Sequence, residues 1–73
     1  MLDAQTIQGM IEQGIPDAQV TVTGEGGKFE AEVISAQFAD LSMVKQHQMV
    51  YATVNEHIAS GVLHALALKT SAP

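Results

Sequence analysis

The 73-residue chain contains no cysteine. That excludes disulfides, a thiol nucleophile and any thiolate metal ligand from this chain. Arginine is also missing, and the three lysines, Lys28, Lys45 and Lys69, stand against eight carboxylates for a formal net charge of −5. Nucleic-acid binders draw most of their affinity from basic contacts to phosphates, and arginine makes the commonest specific base contact. The balance therefore argues against a nucleic-acid binder acting alone and is compatible with a protein partner. No apolar run approaches the roughly 20 residues of a membrane span. The N-terminal MLDAQTIQGM has neither the basic flank nor the apolar core of a signal peptide, which predicts a cytoplasmic protein. Catalytic signatures are missing too. There is no H-E-x-x-H and no supported Ser/His/Asp set, and Glu56 and His57 are helix neighbours that point apart. An enzyme is not expected.

What is present reads as one small globular domain over residues 1–73. Hydrophobic residues make up 47% of the chain, too many for a disordered segment. A chain this short buries only roughly 60% of its unfolded surface, so it gains from a partner or another staple. Asp3 can cap a first helix running to about Gln13, with Ile7, Met10 and Ile11 at helical spacing. Gly14 is expected to supply a left-handed stop, followed by Ile15 and Pro16. Then AQVTVTGEGGKFEAEVIS alternates on both sides of a glycine-rich gap. Val20 and Val22 share one face with Phe29, Ala31 and Val33, so the pattern predicts a β-hairpin with one buried side. Phe38 and Leu41 pin a connector, and Ser42 can cap a second helical stretch, either one long helix or two. Its apolar face is read as Met43, Val44, His47, Val50, Tyr51, Val54 and Ile58. A third strand from Leu63 to Thr70 turns His64, Leu66 and Leu68 to one side. The order α-β-β-α(α)-β predicts an α+β fold with helices on one face of a three-stranded sheet.

Four features bear on function. GEGG (Gly24–Gly27) matches the G-x-x-G of KH domains, but it joins strands rather than helices and carries Glu25, so a hairpin turn is the stronger reading. His47 on the apolar helix face reads first as a half-buried histidine with satisfied nitrogens, and second as a switch or ligand. His57 sits where a cationic imidazole favours the end of a helix dipole. His64 stands at the start of an otherwise apolar strand. A histidine so placed is more often structural, yet a neutral imidazole that reaches solvent there is a good metal ligand. One histidine cannot hold a metal alone, so the remaining ligands would come from another molecule.

The stretch FADLSMVKQHQMVYATVNEHIASGVLHALALKT, Phe38 to Thr70, resembles the core of the BolA-like proteins. The turn TGEGGKF is similar to that of the bacterial IbaG-like branch. The resemblance implies a class II KH-like fold and a monothiol glutaredoxin as partner. It implies a 2Fe–2S cluster shared with the glutaredoxin and glutathione, with the histidine of the LHAL strand, here His64, as a ligand. It further implies a role in stress response. Gly27, Lys28, His47 and Lys69 are read as candidate partner-binding residues, with Lys45 and Lys69 first read as solvated surface lysines, and no cofactor is expected on the isolated protein. Two positions depart from the pattern. Many relatives carry His or Cys in the loop between the first two strands, where Thr23–Lys28 has neither, and Lys28 stands where IbaG-like proteins often have histidine. Relatives also continue past KT with an aromatic residue, where this chain reads SAP.

Three function classes follow, the blandest being a small stress-related protein whose partner is neither a glutaredoxin nor nucleic acid. The first is a binding module for a glutaredoxin in iron–sulfur trafficking or iron sensing, with a homodimer as a further state. The second is a KH-like transcriptional regulator, with Lys45 as a contact to nucleic acid. Affinity for DNA that survives only at low salt would mark the second as non-specific.

Overall fold

The computed structural model describes residues 3–59, 63 and 65–73. In chain order it consists of α1 (Ala4–Gly14), β1 (Gln19–Glu25), β2 (Lys28–Ile34), a short 3-10 turn (Ala36–Phe38), α2 (Met43–Ala59) and β3 (Ala65–Ser71). The strands lie in the order β1-β2-β3, with β1–β2 antiparallel and β2–β3 parallel. The α+β architecture is the one the sequence predicts, and the second helical stretch is one unbroken helix.

The hairpin forms as its alternation requires. Val20, Val22, Phe29, Ala31 and Val33 are buried between sheet and helices. Glu25 pairs with Lys28, leaving Gly26 and Gly27 as a two-residue turn at φ 65° and 81°. Positive φ at both positions is the twist-matched hairpin turn that glycine favours. The caps also form. Asp3 accepts the Thr6 N–H at 2.8 Å, and Ser42 Oγ accepts the Lys45 N–H at 3.2 Å.

Three expectations need correction. Gly14 does not make a left-handed stop. It is the last helical residue, and Ile15 closes the helix through its N–H to Ile11 O at 2.8 Å. The glycine is needed for packing instead, since a Cβ there would lie 2.4 Å from Thr53 Cγ2 on α2. Strand β3 begins at Ala65, not Leu63, and its first pairing is with Lys28, the first residue of β2. Leu63 is buried, but its N–H bonds to His57 O at 3.1 Å rather than to the sheet. Finally, the apolar positions of α2 do not form one buried face. Val50 and Val54 are fully buried, whereas Met43, Val44, Tyr51 and Ile58 are exposed. A three-stranded sheet about 10 Å across supports two helices side by side. With α1 covering one side of α2 through Thr53, no third helix among the described residues covers the opposite flank, above β3.

Candidate functional site at the start of the third strand

The hairpin turn and the beginning of β3 meet at one end of the sheet. Gly27 O accepts the Ala65 N–H at 3.0 Å, and Lys28 lies directly opposite Ala65. The C-terminal end of α2 reaches the same region, since His57 O accepts the Leu63 N–H. On the open face of the sheet a shallow groove of about 300 Å³ starts here, lined by Thr23, Gly24, Lys28, Glu30, Ala65 and Ala67 among others. The alanines make its floor and Lys28 its exposed cation. His64, the residue singled out from sequence as a ligand, lies outside the described residues.

The other sequence candidates are scattered. Lys69 is exposed on the open sheet face opposite Glu32, four residues along β3 from Ala65, about 13 Å at the usual rise. Lys45 is exposed in the first turn of α2, remote in sequence and on a different element from the other two lysines. His47 is half-buried on the α2 flank, and its Nε2 is buried without a hydrogen-bond partner. The expectation that both its nitrogens would be satisfied does not hold for Nε2. Gly27 and Lys28 thus share one place, while His47, Lys69 and Lys45 each lie elsewhere. Sequence reasoning missed Tyr51, whose hydroxyl donates to Leu66 O at 2.7 Å and ties α2 to the outer side of β3. The signal was available, since a tyrosine in an apolar helical stripe needs a partner for its hydroxyl.

Among the described residues no three His, Cys, Asp or Glu side chains come together as a metal site. No helix among them is long and apolar enough to cross a membrane.

The family model for BolA-like protein matches residues 10–73. The chain belongs to the BolA-like family. Its match takes in all three strands, the whole of α2 and the site at the start of β3. A BolA-like chain is also what its individual relatives suggest. A bolA protein homologue from Coxiella burnetii has the same fold, with a TM-score of 0.88 at 34% identity over 100% of this chain and 94% of that one. An Acinetobacter guillouiae protein from the rpoN-murA intergenic region is 34% identical over 68 residues, 93% of this chain and 82% of that protein. The acid stress protein IbaG of Escherichia coli is 29% identical over 72 residues, 99% of this chain and 86% of its own length.

Proposed function

We propose that this BolA-like chain is a non-enzymatic adaptor that docks a monothiol glutaredoxin and shares a 2Fe–2S cluster with it and with glutathione. The role is in iron–sulfur trafficking, iron sensing or stress response. The observation that carries the reading is the junction at Ala65, the residue after His64. There the strand start, the Gly27–Lys28 turn and the end of α2 converge on one exposed edge beside an open groove. The donor chemistry fits a shared centre better than a private one. The family resemblance makes His64 the imidazole donor, and because the sequence has no cysteine the thiolates would come from the partner and glutathione. When bound, the cluster supplies a transferable or redox-active iron–sulfur unit, and the BolA-like chain contributes one nitrogen ligand and a docking surface. Gly27 and Lys28 border that surface. Lys28 replaces a common ligand position with a cation, which suits contact with an anionic thiolate-ligated cluster rather than coordination. Regulation through nucleic acid is the weaker reading, because Lys28 and Lys69 lie on the sheet face among Glu25, Glu30 and Glu32 and form no basic patch.

The test is to mix the chain with a monothiol glutaredoxin, glutathione and a cluster source, and to record the visible absorption and circular dichroism. A spectrum distinct from that of the glutaredoxin alone is expected, since nitrogen in place of sulfur at one iron alters the cluster electronics. An unchanged spectrum and no co-elution would contradict the proposal.

A further inference from the structure

Strand β3 is an edge of the sheet. The Ala65 N–H bonds to Gly27 O, and Ser71 O accepts the Ser35 N–H. Residues 65, 67, 69 and 71 therefore turn their backbone toward β2, and Leu66, Leu68 and Thr70 turn theirs outward. Of those six outward groups, only the Leu66 carbonyl has a partner among the described residues, the Tyr51 hydroxyl. The strand is seven residues long, has no proline, and carries one charge, Lys69. An edge with these properties is a template for another strand. Above it lies the uncovered flank of α2, where Val44 is 65% and Tyr51 36% exposed. From Gln46 to Asn55 that helix has no Asp, Glu, Lys or Arg.

We propose that β3 pairs antiparallel with β3 of a second copy of this chain, about a twofold axis at Leu68, to form one continuous six-stranded sheet. Charge selects this register. Only outward-facing residues can exchange hydrogen bonds, so the axis lies at residue 67, 68 or 69 if most of the strand is to pair. An axis at Lys69 sets that lysine against its own copy. An axis at Ala67 places it across Ala65 from the second copy's Lys28. An axis at Leu68 gives the row Thr21, Glu32, Lys69, then the second copy's Ala67, Glu30 and Thr23, by the observed pairings. Lys69 then faces an opposite charge over a single methyl group, twice by symmetry. The separation of two strand spacings, about 10 Å, is within reach of a lysine and a glutamate together. Among the described residues neither Lys69 nor Glu30 forms an ion pair, although Lys69 lies directly opposite Glu32 on β2. On the other side of the sheet the two α2 flanks approach each other and cover their exposed Val44 and Tyr51. This pairing does not depend on the glutaredoxin reading.

Sedimentation equilibrium over a concentration series tests it. The wild type is expected to dimerise. Lys69→Glu and Glu30→Lys should each weaken the dimer about tenfold, and the double charge swap should restore it to within about threefold of wild type. Leu68→Pro removes an outward N–H without touching the β2–β3 ladder, and should leave a monomer. Circular dichroism checks that each variant folds, and the charge swap stands on its own if the proline variant does not. A wild type that stays monomeric at every concentration overturns the proposal, as does a dimer that ignores the single charge reversals or that the double swap fails to restore.

Discussion

The two ends of strand β3 are held in different ways. At its C-terminal end, the Thr70 hydroxyl donates to Gln46 Oε1 at 2.7 Å, and Gln46 Nε2 donates to Phe38 O and Leu41 O at 3.2 and 3.0 Å. Ser71 O accepts the Ser35 N–H, and Asp17 in turn accepts from Ser35 Oγ, the Ala36 N–H and Gln37 Nε2. One polar web thus ties β3 to α2, to the 3-10 turn and to the loop before β1. At the N-terminal end the described contacts are backbone bonds from Ala65 and Leu63, the burial of Leu63 and Leu66, and one side-chain bond, from the Tyr51 hydroxyl to Leu66 O. A strand whose polar side-chain web sits at one end leaves the exposed positions at the other end free of that web. Such positions can carry a ligand at little cost to the fold.

Leu66 anchors the N-terminal end to the fold, because its side chain joins the core and its carbonyl receives Tyr51. Leu66→Ala is therefore expected to cost about 2–5 kcal/mol in urea denaturation, a large share of a small domain's stability. Next comes the polar web itself. Thr70→Val keeps the shape but leaves Gln46 Oε1 without its donor, and should cost about 1–3 kcal/mol. A loss no larger than that of an exposed substitution would mean the C-terminal end is not the anchored one.

The same web has an acid signature. Gln37, Ser35 and the Ala36 N–H hold the Asp17 carboxyl below its ordinary value of 3.8. A carboxylate with a lower pKa in the folded state contributes stability that is present above the unfolded value and lost as the pH falls through the folded one. Wild type should thus lose stability more steeply than Asp17→Asn as the pH falls from about 5 through and below the ordinary value of 3.8. Parallel curves would remove Asp17 from the web. At the other end, Lys28→His should leave the unfolding midpoint close to wild type, because Lys28 is exposed and forms no described side-chain bond. Its expected effect is a longer cluster lifetime in the glutaredoxin complex, read from the decay of visible absorption.

Much of this was legible in the chain. The hairpin is written in strict alternation around Gly26 and Gly27, and both the pattern and the turn are local. The family-matched stretch located the third strand to within two residues. Gly14 misled because a glycine after a helical run reads as a stop, whereas its cause is Thr53, 39 positions later on another helix. The α2 stripe misled because periodicity marks a face without saying whether anything covers it. The web of Asp17, Ser35, Gln46 and Thr70 joins residues 18 to 24 positions apart, a pairing that no sequence period encodes. The scatter of Lys45, His47 and Lys69 has the same cause, since a residue's type gives its chemistry and only the packing gives its company.

The central claim is that the start of β3 is reserved for a partner while its end holds the fold. The direct measurement is His64→Ala, followed by urea unfolding of the isolated chain and by visible circular dichroism of its mixture with a monothiol glutaredoxin and glutathione. The account predicts an unfolding midpoint close to wild type together with loss of the spectrum that distinguishes the heterocomplex. A destabilised chain that still forms the wild-type heterocomplex, with the same spectrum and cluster lifetime, would contradict it and return His64 to a structural role.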